Sequence, residues 1–530
     1  MPTSSPVVDL IGLSHGFADQ QLFSPLTFTL ASGLTGLVAD NGVGKSVLLR
    51  LLAGALTPSE GQIRWHRDWH WVDQQAAVAG PRVAEALGVG PLFDSWQRLE
   101  HGEGDAEDLT TLADRWHLPA QWQQQLAFAG LTCPLDTPVA TLSGGQRTRL
   151  ALCAAFARPQ AFLLLDEPTN HLDQDGRLWL LKTLRRHPGG ALIASHNRAL
   201  LRQVDQILAL TPRGLQVYGG GYDDYRAEQE RQQQALSQRL EQLSRERRQR
   251  QQRQQAALEA ASRRSRQGRR LRRDGSQSKL LLDASKQRAE NSISGLKDSH
   301  RRQQSVLTES IRDARAQQQI KPNQHLALSS GQEPGGRRLF LQDLVLSHGD
   351  TTPITLSVRQ GERWRVQGAN GSGKSTLLQT IAGRLEPASG QCQRNGRCLY
   401  LDQQLSILDD QATALDNLRR YQPNRGDSDL RTQLAGMNLT GDLALTPTGR
   451  LSGGQRLKVA LLMVAPTDDT PALLLLDEPD NHLDLPSQTL LASTLTHYPG
   501  ALLLVSHDED FVAAVGIDHS LLLQDGLNRP

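Results

Sequence analysis

A chain of 530 residues is too long for one hydrophobic core, so two or three domains are expected. Hydrophobic residues at 38% and charged residues at 22% exclude a disordered or fibrous class, and no apolar run of 18 residues offers a membrane span. The net charge of +2 conceals a strong local imbalance, while Cys133, Cys153, Cys392 and Cys398 lack zinc-ligand spacing and read as reduced, buried thiols.

The first residues carry no basic region ahead of an apolar core, so no secretory signal is expected. Short strand patterns follow at 7–10 and 26–30, with Phe17 between them. Residues 37–46 then run from an apolar strand through a glycine loop into a helix. That is the context a phosphate-binding loop needs, because backbone N–H groups and the helix N-terminus face the anion. Asn41, Gly42, Gly44 and Val47 would build the cradle, Lys45 would reach the β- and γ-phosphates, and Ser46 would ligate Mg²⁺. The strict pattern has glycine at position 39; this chain has Ala39, which reaches fewer positive-φ conformations.

A strand pattern ends at Asp73-Gln74-Gln75, and residues 76–140 read as a helical subdomain. Leu142-Ser143-Gly144-Gly145-Gln146 opens the next helix, which places Ser143 and the glycine N–H groups where an anion is favoured. Residues 162–165 form an apolar run suited to a buried parallel strand. Asp166 at its end could hold Mg²⁺, and Glu167 could act as base or orient water in phosphoryl transfer. Thr169-Asn170-His171-Leu172-Asp173 follows, and a further strand at 191–194 presents Ser195-His196.

The series returns about 310–330 residues later, which marks a duplication. The second loop contains Asn370, Gly371, Gly373, Lys374, Ser375 and Thr376, with Gly368 in the place of Ala39. Asp402-Gln403-Gln404, then Ser452, Gly453, Gly454 and Gln455, then Asp477 and Glu478, and finally Ser506-His507 follow in the same order. Asp480 stands where the first copy has Thr169, and the second helical subdomain is about twenty residues shorter.

Between the copies the composition changes. Residues 226–319 contain no proline and no aromatic residue, and carry 23 Lys and Arg against 11 Asp and Glu, a net of +12. Leu236, Leu240 and Leu243 recur at helical spacing. About 45 residues of helix would extend roughly 65–70 Å, with a break near Asp274-Gly275-Ser276 and a second helix returning antiparallel over about 284–317. Arginine is dense near the bend, at Arg263, Arg264, Arg266, Arg269, Arg270, Arg272 and Arg273. Such a cluster calls for an anionic partner, and without aromatics to stack on bases, folded RNA read through its phosphates fits best. The domains expected are 1–225, 226–330 and 331–530.

The paired motifs resemble the P-loop, Q-loop, signature and Walker B motifs of ABC ATPases. The resemblance implies an α/β fold with two tandem ABC-type P-loop domains, here joined by a long antiparallel helical hairpin. It also implies that Phe17 stacks on adenine, that Gln74 and Gln403 approach Mg²⁺ and the attacking water, and that His196 and His507 contact the γ-phosphate. Two cassettes would face head to tail within a monomer, so that ATP bridges both. Lys45, Gln74, Asp166, Glu167 and His196 would face Ser452 and Gly454, and Lys374, Gln403, Asp477, Glu478 and His507 would face Ser143 and Gly145. The string Glu167-Pro168-Thr169-Asn170-His171-Leu172-Asp173, the stretch 217–225 and the basic linker together resemble the ABC-F family. For that family the resemblance implies a cytoplasmic ATPase whose linker enters the ribosomal E site near rRNA and tRNA, as a translation factor or an antibiotic-protection protein. A DNA-maintenance ATPase and the ATPase subunit of a transporter are the alternatives.

Overall fold

The computed structural model describes residues 5–17, 20–73, 80–170, 172–273, 308, 312, 336–402, 405–423, 425–437, 439–464, 471–481 and 483–523. Two units separate, one joining Met1–Asp223 with Gln324–Pro530, the other Asp224–Asn323.

The first unit holds two α/β cassettes. In the first, a six-stranded sheet runs Gly214–Gly219, Gln206–Thr211, Leu34–Val38, Ala191–Ala194, Phe162–Asp166, Trp69–Val72, and every pair but the first is parallel. The Phe162–Asp166 strand is buried along its whole length, as an apolar run covered on both faces requires. A three-stranded antiparallel sheet, Leu26–Ala31, Pro6–Ser14, Glu60–Trp65, shares its core with the helix Lys45–Leu52.

The second cassette repeats the plan. Its parallel sheet runs Cys398–Leu401, Leu473–Asp477, Ala501–Val505, Arg363–Gln367, His519–Leu522. Ile354–Arg359, Arg337–Val345 and Ser389–Arg394 form the antiparallel layer. In each cassette, the phosphate-loop strand, the strand ending in Asp-Glu and the strand ending in Ser-His lie together in the sheet. Residues more than a hundred positions apart therefore meet at one sheet edge, outside the carboxyl ends of the strands, where α/β folds bind ligands.

The helix Tyr222–Arg273, all but its first two residues in the second unit, is 52 residues long and would measure about 78 Å. It begins four residues earlier than the charge pattern suggests. Pairs such as Arg226 with Glu230 and Arg245 with Glu241 lie one turn apart and support a helix that is polar nearly all round. Arg247, Arg248, Arg250, Arg253, Arg263 and Arg266 are exposed along it. The expected bend and most of the returning arm lie outside the described residues.

Candidate nucleotide-binding sites

Each glycine loop ends at a residue in the left-handed region, Gly44 at φ +109° and Gly373 at φ +97°, which turns the chain into the helix that follows. The one departure from the strict pattern carries no backbone strain. Gly368 sits at φ +155°, where a Cβ would come within 2.4 Å of Ser372 Oγ. Ala39 takes an ordinary φ and packs against the cassette core. The two loops thus differ in backbone, and alanine fits the first.

Around the first loop four buried polar groups converge. Lys45 Nζ lies 3.6 Å from Glu167 Oε1 and contacts His196 Nε2. The His196 amide donates to Glu167 Oε2 at 3.4 Å. Burial pushes the Lys45 ammonium down and the Glu167 carboxyl up, the latter offset by Lys45. Burial and the Lys45 charge lower His196 to about 3, so its imidazole is neutral at physiological pH. Burial also raises Asp166, although Ser46 and Lys45 favour its charged form. Neither Asp166 oxygen has a hydrogen-bond partner of normal geometry among the described residues. A buried, unpaired carboxylate beside a serine hydroxyl fits the donor set of Mg²⁺.

The second site is built alike but differs in detail. Lys374 Nζ turns back on its own loop and donates to the carbonyls of Gly368 and Ala369, both at 2.8 Å. Tyr400 Oη donates to Asp477 Oδ2 at 3.0 Å. Burial raises Asp477 against the pull of Ser375, Tyr400 and Lys374. His507 Nε2 lies 3.7 Å from Glu478 Oε1, and Asn481 Nδ2 donates to Glu478 Oε2. Burial, then the charges of Lys374 and Arg177, lower His507 to about 4.

Both glutamates share a feature invisible in their local pattern. Glu167 and Glu478 adopt φ of +49° and +48°, a conformation that side chains other than glycine rarely take. Each is held there by a backbone hydrogen bond to the neighbouring strand, the Glu167 N–H donating to the Ala194 carbonyl at 2.8 Å and the Glu478 N–H to the Val505 carbonyl at 2.9 Å.

The signature serines cap their helices. Ser143 precedes Gly144–Phe156; its amide donates to Gln146 Oε1 at 2.9 Å, while its hydroxyl accepts from the Gln146 amide at 3.3 Å. Ser452 and Gln455 repeat the arrangement at the same two distances. Gly145 and Gly454 lie in the first turns of these helices.

The cassettes meet where a phosphate-loop residue and a strand-end residue pair with Asp484 and Arg177, and where Arg202 pairs with Asp510; to these four the local pattern gives no role. The Asn41 amide, in the first loop, donates to Asp484 Oδ2 of the second cassette at 2.9 Å. Arg177 Nη1 donates to the His507 carbonyl at 2.8 Å. Arg202 grips Asp510 with two hydrogen bonds of 2.7 and 2.9 Å. A cavity of about 30 Å³, room for a water or two, lies between the cassettes and is lined by Glu167, Arg177, His196, Asp480, Gln488 and Asp508 among others. Asp480 is buried there, and burial followed by the Asp508 charge pushes it up to about 7. The repeat itself could have flagged one of these residues: Asp173 and Asp484 lie at one offset from their strand aspartates, and each caps the next helix.

Gln74 and Gln403 lie outside the described residues, as does the side chain of Phe17, whose backbone sits in the short strand Gly16–Phe17. Among the described residues no helix is long and apolar enough to cross a membrane.

Comparison with known proteins agrees with this geometry. The family described as ABC transporter matches residues 23–170 and 351–481. The probable ATP-binding protein YheS of Escherichia coli strain K12 is 31% identical over 91% of this chain and 73% of its own length. The tylosin resistance ATP-binding protein TlrC of Streptomyces fradiae is 28% identical over 95% of both chains. The solved structure of RNase-L Inhibitor shares the fold, with a TM-score of 0.53 at 18% identity over 96% of this chain and 87% of that one.

Proposed function

This chain belongs to the ABC-F family of twin-cassette ABC proteins, and we propose that it hydrolyses ATP at two composite sites and acts on the ribosome through its basic linker. The cassettes bind ATP. In our reading the protein is a cytoplasmic monomer whose two cassettes, 1–225 and 331–530, pair around a pseudo-twofold axis, with 226–330 as the linker.

Each loop would wrap the phosphates with its backbone amides, Asn41, Gly42, Gly44 and Val47 in one, Asn370, Gly371, Gly373 and Thr376 in the other. Phe17 would stack on the adenine of the first site. Ser46 and Asp166, and Ser375 and Asp477, would hold Mg²⁺ together with Gln74 and Gln403. The ion, when bound, neutralises phosphate charge that builds during transfer. Arrival of a γ-phosphate would give Lys45 a new partner and free Glu167, whose raised pKa suits a base. Neutral His196 and His507 would donate a hydrogen bond to the same phosphate without adding charge. Glu478 would be the base of the second site. Ser143, Gly144, Gly145 and Gln146 would close the second site across the interface, and Ser452, Gly453, Gly454 and Gln455 the first.

The observation that carries the composite reading is the Asn41 amide on Asp484: a phosphate loop of one cassette already faces the segment that follows the Walker B strand of the other. For the ribosome the support is the linker, where a net of +12 is spread over 226–319 without an aromatic residue. Similarity to a tylosin resistance protein favours protection against antibiotics as the use of that binding.

Sedimentation with ribosomes tests the proposal. Glu167→Gln with Glu478→Gln, in the presence of ATP, should co-sediment far more than wild type. Removal of residues 263–290 from the double variant should abolish the effect, and the same removal from wild type should leave ATP turnover in place. Binding that is sensitive to DNase rather than RNase would replace this reading with DNA maintenance, and retention in membrane fractions would replace it with a transporter subunit.

A further inference from the structure

We propose that Tyr400 is a positioning residue for Asp477, and that it makes the two ATP sites unequal in their demand for a divalent cation. The inference rests on the reading of the two sites given above.

Tyr400 lies in the strand Cys398–Leu401, which pairs in parallel with Leu473–Asp477. Its ring is buried at 5% exposure, with the Arg384 guanidinium 4.8 Å from its centroid. Its partner across the ladder is Leu475, two residues before Asp477. In the first cassette Trp71 holds the same place, opposite Leu164, two residues before Asp166. The chemistry at that place differs. The Tyr400 hydroxyl donates to Asp477 Oδ2 at 3.0 Å. The Trp71 Nε1 is buried without a hydrogen-bond partner among the described residues, and Asp166 has only the Ser46 hydroxyl close by, with no partner of normal geometry on either oxygen.

A phenol O–H on a carboxylate is a charge-assisted bond that fixes one oxygen and shares its charge. Asp477 therefore meets an incoming cation already oriented and partly satisfied. Asp166 has the Ser46 hydroxyl beside it but no phenol donor, so it is the less satisfied of the two buried carboxylates until a cation relieves it. The same ion thus gains more at the first site than at the second. The second site gives up affinity for a fixed carboxylate geometry, so its occupancy follows the cation concentration more closely. Tyr400 acts through Asp477 and touches no substrate in this scheme.

The test uses Mn²⁺ as probe, on the full-length protein with saturating ATP, followed by electron paramagnetic resonance. Lys374→Ala leaves the first site and Lys45→Ala the second. The second site should need roughly tenfold more Mn²⁺ for half-saturation than the first, the scale of one hydrogen bond to a charged group. Tyr400→Phe, which keeps the ring, should remove most of that difference. Trp71→Tyr should raise the requirement of the first site, and thermal unfolding of each variant checks that it is folded. Equal titration of the two sites, or a Tyr400→Phe variant whose Mn²⁺ affinity is unchanged or weaker, overturns the inference and leaves the two-site reading standing. Absence of ATP-dependent Mn²⁺ binding at both sites of wild type would instead overturn the two-site reading itself.

Discussion

At the scale of residues, the sites are built from groups placed where they are least comfortable. The positive φ of Glu167 and Glu478 costs on the order of 1–3 kcal/mol each, and the cost recurs in both copies at the carboxylate proposed as the base. Asp480 is a second case. It occupies the place that Thr169 holds in the first cassette, is buried between the cassettes, and leaves Oδ1 without a hydrogen-bond partner among the described residues. Its folded pKa of about 7 lies above the ordinary 3.8 because burial and Asp508 oppose its charge. The sign follows from proton uptake: the folded state holds the proton more tightly than the unfolded state. The stabilising contribution is therefore complete below about pH 4 and is lost as pH rises to 7, at about 1.4 kcal/mol per pH unit. Asp480→Asn removes that dependence and the charge together. Measured by denaturant unfolding from pH 4 to 8, the variant should gain on wild type as pH rises to 7 and hold a constant advantage beyond. Parallel curves for the two proteins would show that Asp480 does not titrate in this window.

At the scale of elements, the capping of the signature helices makes a direct prediction. Ser143 and Ser452 each satisfy a helix N-terminal amide, so Ser→Ala at either should cost about 1 kcal/mol of stability. Calorimetry of the single variants checks the magnitude; the proposed role across the interface adds a loss of ATP affinity at the opposite site only. The elements themselves were largely legible. Glycine loops between strand and helix, apolar runs ending in Asp-Glu, and the LSGGQ helix starts are local patterns, and each lies where its spacing indicated. The starting point of the linker helix was less clear, because the composition turns basic only at Arg226, after the acidic Asp223 and Asp224, whereas the helix already begins at Tyr222. What pattern could not supply were contacts between distant segments. Asn41 and Asp484 are 443 positions apart, Arg177 and His507 are 330 apart, and no periodicity relates them. The Tyr400–Asp477 bond was hidden for a different reason: the two strands look alike in hydropathy, and only their register sets the hydroxyl on the carboxylate.

At the scale of the whole molecule, two features govern how ATP could be converted into action on a partner. The first is the contact between cassettes. Arg202 binds Asp510 across the interface and Asp223 at the root of the linker helix, with its side chain 36% exposed. A partly exposed bidentate pair contributes about 0.5–1 kcal/mol, less at high salt. A double-mutant cycle of Arg202→Ala and Asp510→Ala should return a coupling of that size in the ATP concentration needed to close the cassettes of the Glu167→Gln, Glu478→Gln protein, read by fluorescence transfer between them. Additive effects would remove the pair from the closure. The second feature is the division of charge. The +12 of residues 226–319 leaves about −10 for the rest of a chain whose total is +2. A protein so divided repels a polyanion over most of its surface and attracts it along one element, which orients the encounter as well as strengthening it. The exposed Arg263 and Arg266, with Arg264, sit near the end of the described helix. If they meet phosphates, changing all three to glutamine weakens ribosome binding and lowers the slope of log affinity against log salt by about one unit per contact removed. Binding measured from 50 to 300 mM salt reads both quantities at once. A weaker complex with an unchanged slope would mean that the arginines shape the helix rather than touch the phosphates. An unchanged complex would move the anion contact to the remaining arginines of the linker, at Arg245 to Arg253.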